Sequence, residues 1–341
     1  MARGLAIWAN PSSPHAEGRA ARAALETARG EIANAYGWTG EVLLTSGASE
    51  SLAIALGRAV ATRRVISAVE HDAAIRAAGA GAEVLPVDAD GLLIQPAVSH
   101  ADAADGAGER TAHDRAIVCV QWCNSETGVR QPIARIAEAV HAAGSLLLVD
   151  AAQMPASAEL AAHADFVALS AHKRGGPPGI GALLVRDLAT LHPTGGQERG
   201  YRPGTENLPA VLGYAAALAE PEPDHAALRA RLDDAVRRSG GLVVAERAPR
   251  HPAIGSYRLP GLAAKAQLIR LDLAGIAVSA GSACASGSLK PSHVLRAMGY
   301  DEIATGEVIR VSFGRGTSEA DVDRFIAAWR EIARGARRLA A

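Results

Sequence analysis

The chain is short of cysteine, has no charge excess of either sign and contains no long apolar run. Three cysteines in 341 residues exclude a disulfide framework and fit a reducing, cytoplasmic setting. Thirty-five basic residues against 36 acidic ones leave a formal net charge of −1. That balance gives no electrostatic case for nucleic acid or an anionic membrane as partner. No segment approaches the roughly 18 consecutive apolar residues of a membrane span. The opening "MARGLAIWANPSSPH" has a short apolar patch but neither the apolar core nor the cleavage pattern of a secretory signal. Internal repeats and functional low-complexity tracts are also lacking. Cys119 and Cys123 have no second Cys/His pair at ligand spacing, so no metal is expected; both read as packing residues. What remains is an ordinary soluble composition, 49% hydrophobic and 21% charged. The length calls for one large domain and a smaller one.

Strand and helix patterns alternate from about Val42 to Val185. "EVLLTSGASESLAIALGRAV" reads as strand, Ser/Gly turn and helix, and "RRVISAVEHDAAIRAA" repeats that order. "AIVCVQWCNSETG" is a buried strand ending in a polar loop. "SLLLVDAAQ" ends on Asp150, and "ADFVALSAHKRGG" ends near Lys173. This alternation predicts a mostly parallel sheet with helices on both faces. In such sheets ligands sit at the carboxyl ends of strands, where Ser49, His71, Ser125, Asp150 and Lys173 all fall. "AEPEPDHAAL" reads as a linker near residue 220. Beyond it an amphipathic helix with basic and acidic faces, the strands "GLVVAE", "AIGSYRLP" and "EVIRVSFGRG", and a terminal helix predict a smaller α+β domain. "SHADAADGAGERTAHD" reads as a surface loop. His141 and His163 read as helix and loop residues, and His15 receives no chemical role.

Three stretches carry chemistry. In "LSAHKRGGPPGIGALLV" a lysine follows an apolar strand directly, between a histidine and glycines. A surface lysine is the plain reading; a lysine in a dry cleft is a Schiff-base amine. "LLLVDAAQ" ends a buried strand on an acid, which is costly unless paired. Pyridoxal phosphate supplies such a partner, because a carboxylate holds its ring nitrogen protonated and the ring then serves as an electron sink. "TSGASES", a Ser/Gly turn opening a helix, suits a phosphate. In "SAGSACASGS", Cys284 stands among residues too small to clamp it. That setting suits a thiol that must stay reachable, and Gly281 and Gly287 add backbone freedom. "GPPGIG" lacks the order of a dinucleotide fingerprint.

These blocks, with "NPSSPHAEGRAAR", "VEH", "NSETGV", "GGQERGYRPGTENLPA", "SAGSACASGSLKPSHVLRAMG" and "IRVSFGRGT", run in one order over nearly the whole chain. In them the sequence resembles a cysteine desulfurase of the NifS/IscS type, within the class V aminotransferase-like pyridoxal phosphate enzymes. The resemblance implies an α/β fold of the fold-type I kind, with a seven-stranded, mostly parallel sheet. It places a large cofactor-binding domain over 12–222. A small domain over 223–341, joined by 1–11, carries the cysteine. It implies Lys173 as the cofactor-bearing amine, Asp150 on the pyridinium nitrogen, Gln153 on the phenolic oxygen, and His71 stacked on the ring and moving protons. Ala48, Ser49, Ser170 and His172 would hold the phosphate, and Thr205 would reach the phosphate of a neighbouring subunit in a homodimer. Arg310 and Ser125 would face the substrate, with Arg310 gripping its carboxylate. Cys284 would take sulfur from L-cysteine as a persulfide, leave L-alanine, and deliver the sulfur to an acceptor or scaffold protein for iron–sulfur cluster assembly or thiolation.

Two departures from the resembled pattern are expected to matter. Only "MARGLAIWA" precedes the "NPSS" block, where the pattern has an extended segment and a turn that wall the substrate pocket. Ser125 stands where an asparagine is usual, with a shorter hydrogen-bonding reach. Ser49 in place of threonine keeps the hydroxyl. Both departures leave two other readings: a selenocysteine lyase, or a degenerate relative that binds pyridoxal phosphate and turns over poorly.

Overall fold

The computed structural model describes residues 1–94, 115–281 and 291–340. The loop expected over 99–114 and the segment with Cys284 lie outside the described residues. The chain divides into two compact units. One comprises Met1–Leu85, Gln95–Trp122 and Pro132–Pro221; the other comprises Pro86–Ile94, Cys123–Gln131 and Glu222–Ala341.

The first unit contains α1 (Ala2–Ala6), α2 (Ala16–Ala35), β1 (Glu41–Thr45), α3 (Ala48–Arg58), β2 (Arg63–Ser67), α4 (Asp72–Ala78) and β3 (Glu83–Leu85). It continues through β4 (Ala116–Gln121), α5 (Ile133–Ala142), β5 (Leu146–Asp150), β6 (Phe166–Ser170), β7 (Gly181–Val185) and α6 (Leu208–Leu218). In α2, Ala21, Leu25, Ala28 and Ile32 recur at helical spacing and are all buried. His15 caps that helix by accepting from the Gly18 N–H at 3.2 Å, a structural role that its sequence context did not reveal.

The sheet of this unit has seven strands in the order β1-β7-β6-β5-β4-β2-β3. Strands β4, β5, β6 and β7 are buried along their whole length, which explains why they read as unbroken apolar runs rather than alternating ones. The expectation of a mostly parallel sheet holds, and β7 is the strand that runs against its neighbours β6 and β1. Its direction follows from the connection. Only ten residues separate Ser170 from Gly181, too few for the helical crossover that a parallel partner needs.

Residues 1–11 were expected beside the small domain. They belong instead to the first unit. Helix α1 lies so close to α6 that a side chain on Gly4 would meet the Pro209 backbone at 2.6 Å.

The second unit contains α7 (Ala226–Arg238), β8 (Leu242–Val243), β9 (Ile254–Arg258), α8 (Ala264–Leu273), β10 (Ser279–Ala280), α9 (His293–Ala297), α10 (Glu302–Gly306), β11 (Val308–Ser312) and α11 (Glu319–Ala340). Its sheet is antiparallel in the order β10-β11-β9-β8. Leu232, Val236, Tyr257, Ile309, Phe325 and Trp329 form its core. The charges of α7 do not all face water. Arg229 is buried and donates to the Tyr257 hydroxyl at 2.7 Å, to Pro252 O at 2.8 Å and to Val311 O at 3.0 Å. Tyr257 in turn donates to Asp233 at 2.6 Å. Such a network is stable because each buried polar group finds a partner.

Candidate active site

In the first unit, polar side chains collect where the parallel strands end. Asp150 closes β5 and is 7% exposed. Its Oδ1 accepts from the Ala152 N–H at 2.9 Å. Burial pushes this carboxyl up from its usual range, while the Ala152 amide and electrostatic attraction to His71 and Lys173 pull it back. Asp150, His71 and Lys173 are therefore within electrostatic reach of one another.

Lys173 lies in a short 3₁₀ turn, Ala171–Arg174, that follows β6 directly. It is exposed on this chain, not enclosed in a dry cleft. His71 caps the N-terminus of α4, its Nδ1 accepting from the Ala73 N–H at 3.1 Å. Gln153 is half-buried in the turn after β5, and its carbonyl accepts from Arg174 Nη2 at 3.5 Å.

A second cluster forms beside α3. Gly181, first residue of β7, pairs with Thr45 on one side and Ser170 on the other. A side chain at Gly181 would stand 2.6 Å from the Gly47 Cα, so the backbones meet there without room for one. Gly47 has φ 149°, in the region that favours glycine, and starts α3 with no side-chain cap. Ala48 and Ser49 open that helix. The Ser170 hydroxyl is 2.8 Å from His172 Nδ1. Partial burial, then the Lys173 charge, pushes the His172 imidazole down. Helix-start amides, two hydroxyls and an imidazole suit an anion such as a phosphate.

Thr205 is exposed and follows a loop that is held by charge. Glu198 in that loop is buried and accepts from Arg29 Nη1 at 2.5 Å and from the Leu44 N–H at 2.9 Å. Arg202 Nε donates to Glu50 at 3.1 Å. The polar residue that sequence reasoning passed over is Glu70, fully buried next to His71. The signal was available, since an acid just past a buried strand is the feature that singled out Asp150.

Arg310 and Ser125 lie in the second unit, and they meet there. Arg310, on β11, donates from Nη1 to the Ser125 carbonyl at 3.0 Å and from Nη2 to Ser279 Oγ at 3.1 Å. The Ser125 backbone carbonyl steadies the guanidinium. Asn124 builds the turn, its Oδ1 accepting from the N–H groups of Glu126 and Thr127 at 2.9 and 2.8 Å. Ser292, which caps α9, donates to the Glu126 carboxylate. Cys284, the expected nucleophile, lies outside the described residues. Cys119 and Cys123 are both buried, and neither forms a disulfide among the described residues. Burial, and then the neighbouring Glu70 and Asp150, push the Cys119 thiol well above its ordinary value, which makes it inert.

The model of one family, aminotransferase class-V, matches residues 6–325. The chain belongs to the aminotransferase class-V family. Within this family it is 37% identical over 351 residues to a cysteine desulfurase of Cereibacter sphaeroides, with 94% of this chain and 87% of that protein covered. It is 38% identical over 352 residues to a cysteine desulfurase of Bradyrhizobium diazoefficiens, covering 95% and 87%. The class V fold is equally plain in three dimensions. The structure of a NifS-like protein from Rickettsia africae superposes with a TM-score of 0.81 at 27% identity, covering 97% of this chain and 94% of that one. A structure titled SspA in complex with cysteine gives 0.75 at 27% identity, covering 92% and 93%.

Proposed function

We propose that this chain is a pyridoxal phosphate-dependent cysteine desulfurase: it takes the sulfur of L-cysteine and leaves L-alanine. The observation that carries the reading is the placement of Asp150, His71 and Lys173 at or just past the ends of parallel strands, in a chain whose class V relatives at 37% and 38% identity are cysteine desulfurases. The residues fit pyridoxal 5′-phosphate. A buried carboxylate that burial alone disfavours gains from a cationic ring nitrogen, and the cradle of Gly47, Ala48, Ser49, Ser170 and His172 suits its phosphate. When bound, that group supplies an electron sink for bonds to the substrate's α-carbon.

The chain's own residues do the rest. Lys173 would hold the cofactor through its amine and could move a proton at the substrate. His71 could transfer a proton through its imidazole. Gln153 would donate to the cofactor's phenolic oxygen. Arg310, held by the Ser125 carbonyl and the Ser279 hydroxyl, offers a fork to the substrate carboxylate. The Cys284 thiolate takes the sulfur as a persulfide and passes it to an acceptor or scaffold protein. Thr205 serves the phosphate of a second copy in a homodimer. Among the described residues no helix is long and apolar enough to cross a membrane. We place the enzyme in the cytoplasm because three cysteines in 341 residues suit a reducing setting.

The test is turnover of L-cysteine by the purified chain with a thiol reductant. Alanine and sulfide are expected in equal amounts, and Cys284→Ser is expected to lower both by about 100-fold, within the range for removing one essential group. Alanine from L-selenocysteine alone would make the chain a selenocysteine lyase. No alanine from either would sink the reading.

A second outcome concerns Ser125. Its carbonyl holds Arg310, and Ser125→Asn keeps that carbonyl. The substitution is expected to change KM for L-cysteine by less than about tenfold, the worth of one neutral hydrogen bond. A larger change in steady-state kinetics would mean that the side chain sets the pose of the arginine.

A further inference from the structure

Glu70 is 0% exposed and precedes His71 by one residue. A carboxyl in such a place is costly unless its oxygens are engaged. They are. Oε1 accepts from the Ser67 hydroxyl at 2.6 Å and from the Gln121 N–H at 2.9 Å. Oε2 stands 3.8 Å from the Cys119 sulfur. Gln121 also donates its side-chain amide to the Val69 carbonyl. One residue at the end of β4 thus grips the Val69–Glu70 stretch twice. The same Gln121 is the ladder partner of Asp150 on β5.

Two groups of the active site are therefore registered to one strand end, Asp150 through the sheet ladder and His71 through Glu70. We propose that Glu70 is a positioning residue: clamped by Ser67 and Gln121, it ties the Val69–His71 turn to β4 and so sets the His71 ring relative to Asp150. Glu70 itself touches neither cofactor nor substrate in this role. The contribution lies in geometry, where a misplacement of about 1 Å costs as much as 100-fold in rate.

Burial, with the neighbouring Asp150 charge as a smaller cause, pushes the Glu70 carboxyl up to about 8, against the bonds from Ser67 and Gln121 that lower it. Glutamine copies its size and its acceptor oxygen; alanine copies neither.

The inference rests on the desulfurase reading for its rate measurement, so a second measurement is independent of cofactor and substrate. The Ala73 N–H donates to His71 Nδ1, which leaves the proton of the neutral ring on Nε2. Nitrogen-15 NMR of histidine-labelled full-length chain, with the His71 signals assigned through His71→Asn, reads that tautomer directly. Glu70→Gln is expected to keep the Nε2–H tautomer and to change alanine formation by no more than about twofold, as a near-neutral substitution does. Glu70→Ala is expected to mix the tautomers and to lower kcat by about 10- to 100-fold.

The proposal is overturned if Glu70→Ala leaves the tautomer unchanged, whatever happens to the rate. It is equally overturned if Glu70→Gln disturbs both readouts as much as alanine does. Should Glu70→Ala fail to fold, Ser67→Ala decides, because it removes one of the two donors. Partial tautomer mixing and a loss of about three- to tenfold, one hydrogen bond's worth, are expected there, and an unchanged His71 signature overturns the idea. Wild-type chain that forms no alanine would sink the desulfurase reading, while the tautomer measurement would still judge Glu70.

Discussion

Replacing Lys173 with alanine is expected to erase the visible absorption of the cofactor-loaded chain and to cut alanine formation from L-cysteine by about 10⁴-fold, the upper range for a positioned acid–base group. The size of the effect follows from two duties on one amine. In the proposed function Lys173 would be both the covalent tether of the cofactor and the group that moves a proton at the substrate, and alanine can do neither. The fold should survive. Lys173 is exposed and sits in a 3₁₀ turn beyond the end of β6, so its removal opens no cavity, and such exposed changes stay within about 0.5 kcal/mol. Absorption spectra, an alanine assay and a thermal melt on the same preparation check all three statements. Retained absorption and rate in Lys173→Ala would remove this lysine from the mechanism.

Asp150→Asn should move activity and stability in opposite directions. Asparagine keeps the acceptor oxygen for the Ala152 N–H but loses the charge that, in the proposed function, would hold the cofactor ring nitrogen protonated. Alanine formation is expected to fall by about 10³-fold, the top of the range for one preorganised electrostatic contact. The cofactor-free chain should instead melt at a higher temperature at neutral pH. The sign is set by burial. The folded-state carboxyl is shifted up from its ordinary 3.8, so the folded chain binds the proton more tightly than the unfolded one. Its contribution to stability is complete below about pH 3.8 and is lost as pH rises through the shifted value. Asparagine has no proton to lose. The melting difference between variant and wild type should therefore shrink as the solution is acidified through that window. A neutral-pH variant that melts lower than wild type would contradict the assigned cost of the buried charge.

Much of this arrangement was legible in the amino-acid sequence because it rests on local patterns. Apolar runs ending in Asp150 and Ser170 announced buried parallel strands, and a polar residue at the end of such a run has few explanations besides ligand binding. The reversal of β7 was harder to see, although the ten residues after Ser170 already forbid a crossover. Glu70 was missed because His71 beside it drew the functional reading. The role of Gly181 needs the pairing of Thr45 and Ser170 across it, which no local pattern contains. The grip of Ser125 on Arg310 is a main-chain contact between residues 185 positions apart, and a side-chain comparison with the usual asparagine does not reveal it.

The acidic, proline-bearing stretch near residue 220 invites a cut that would free the smaller half of the protein. The chain's own threading argues against it. The smaller unit also owns 86–94 and 123–131, two excursions encoded far upstream. A polypeptide beginning at Glu222 would leave Arg310 without its carbonyl and Ser292 without its carboxylate. Neither half is an interchangeable cassette, and recombination with related enzymes would have to respect five seams rather than one.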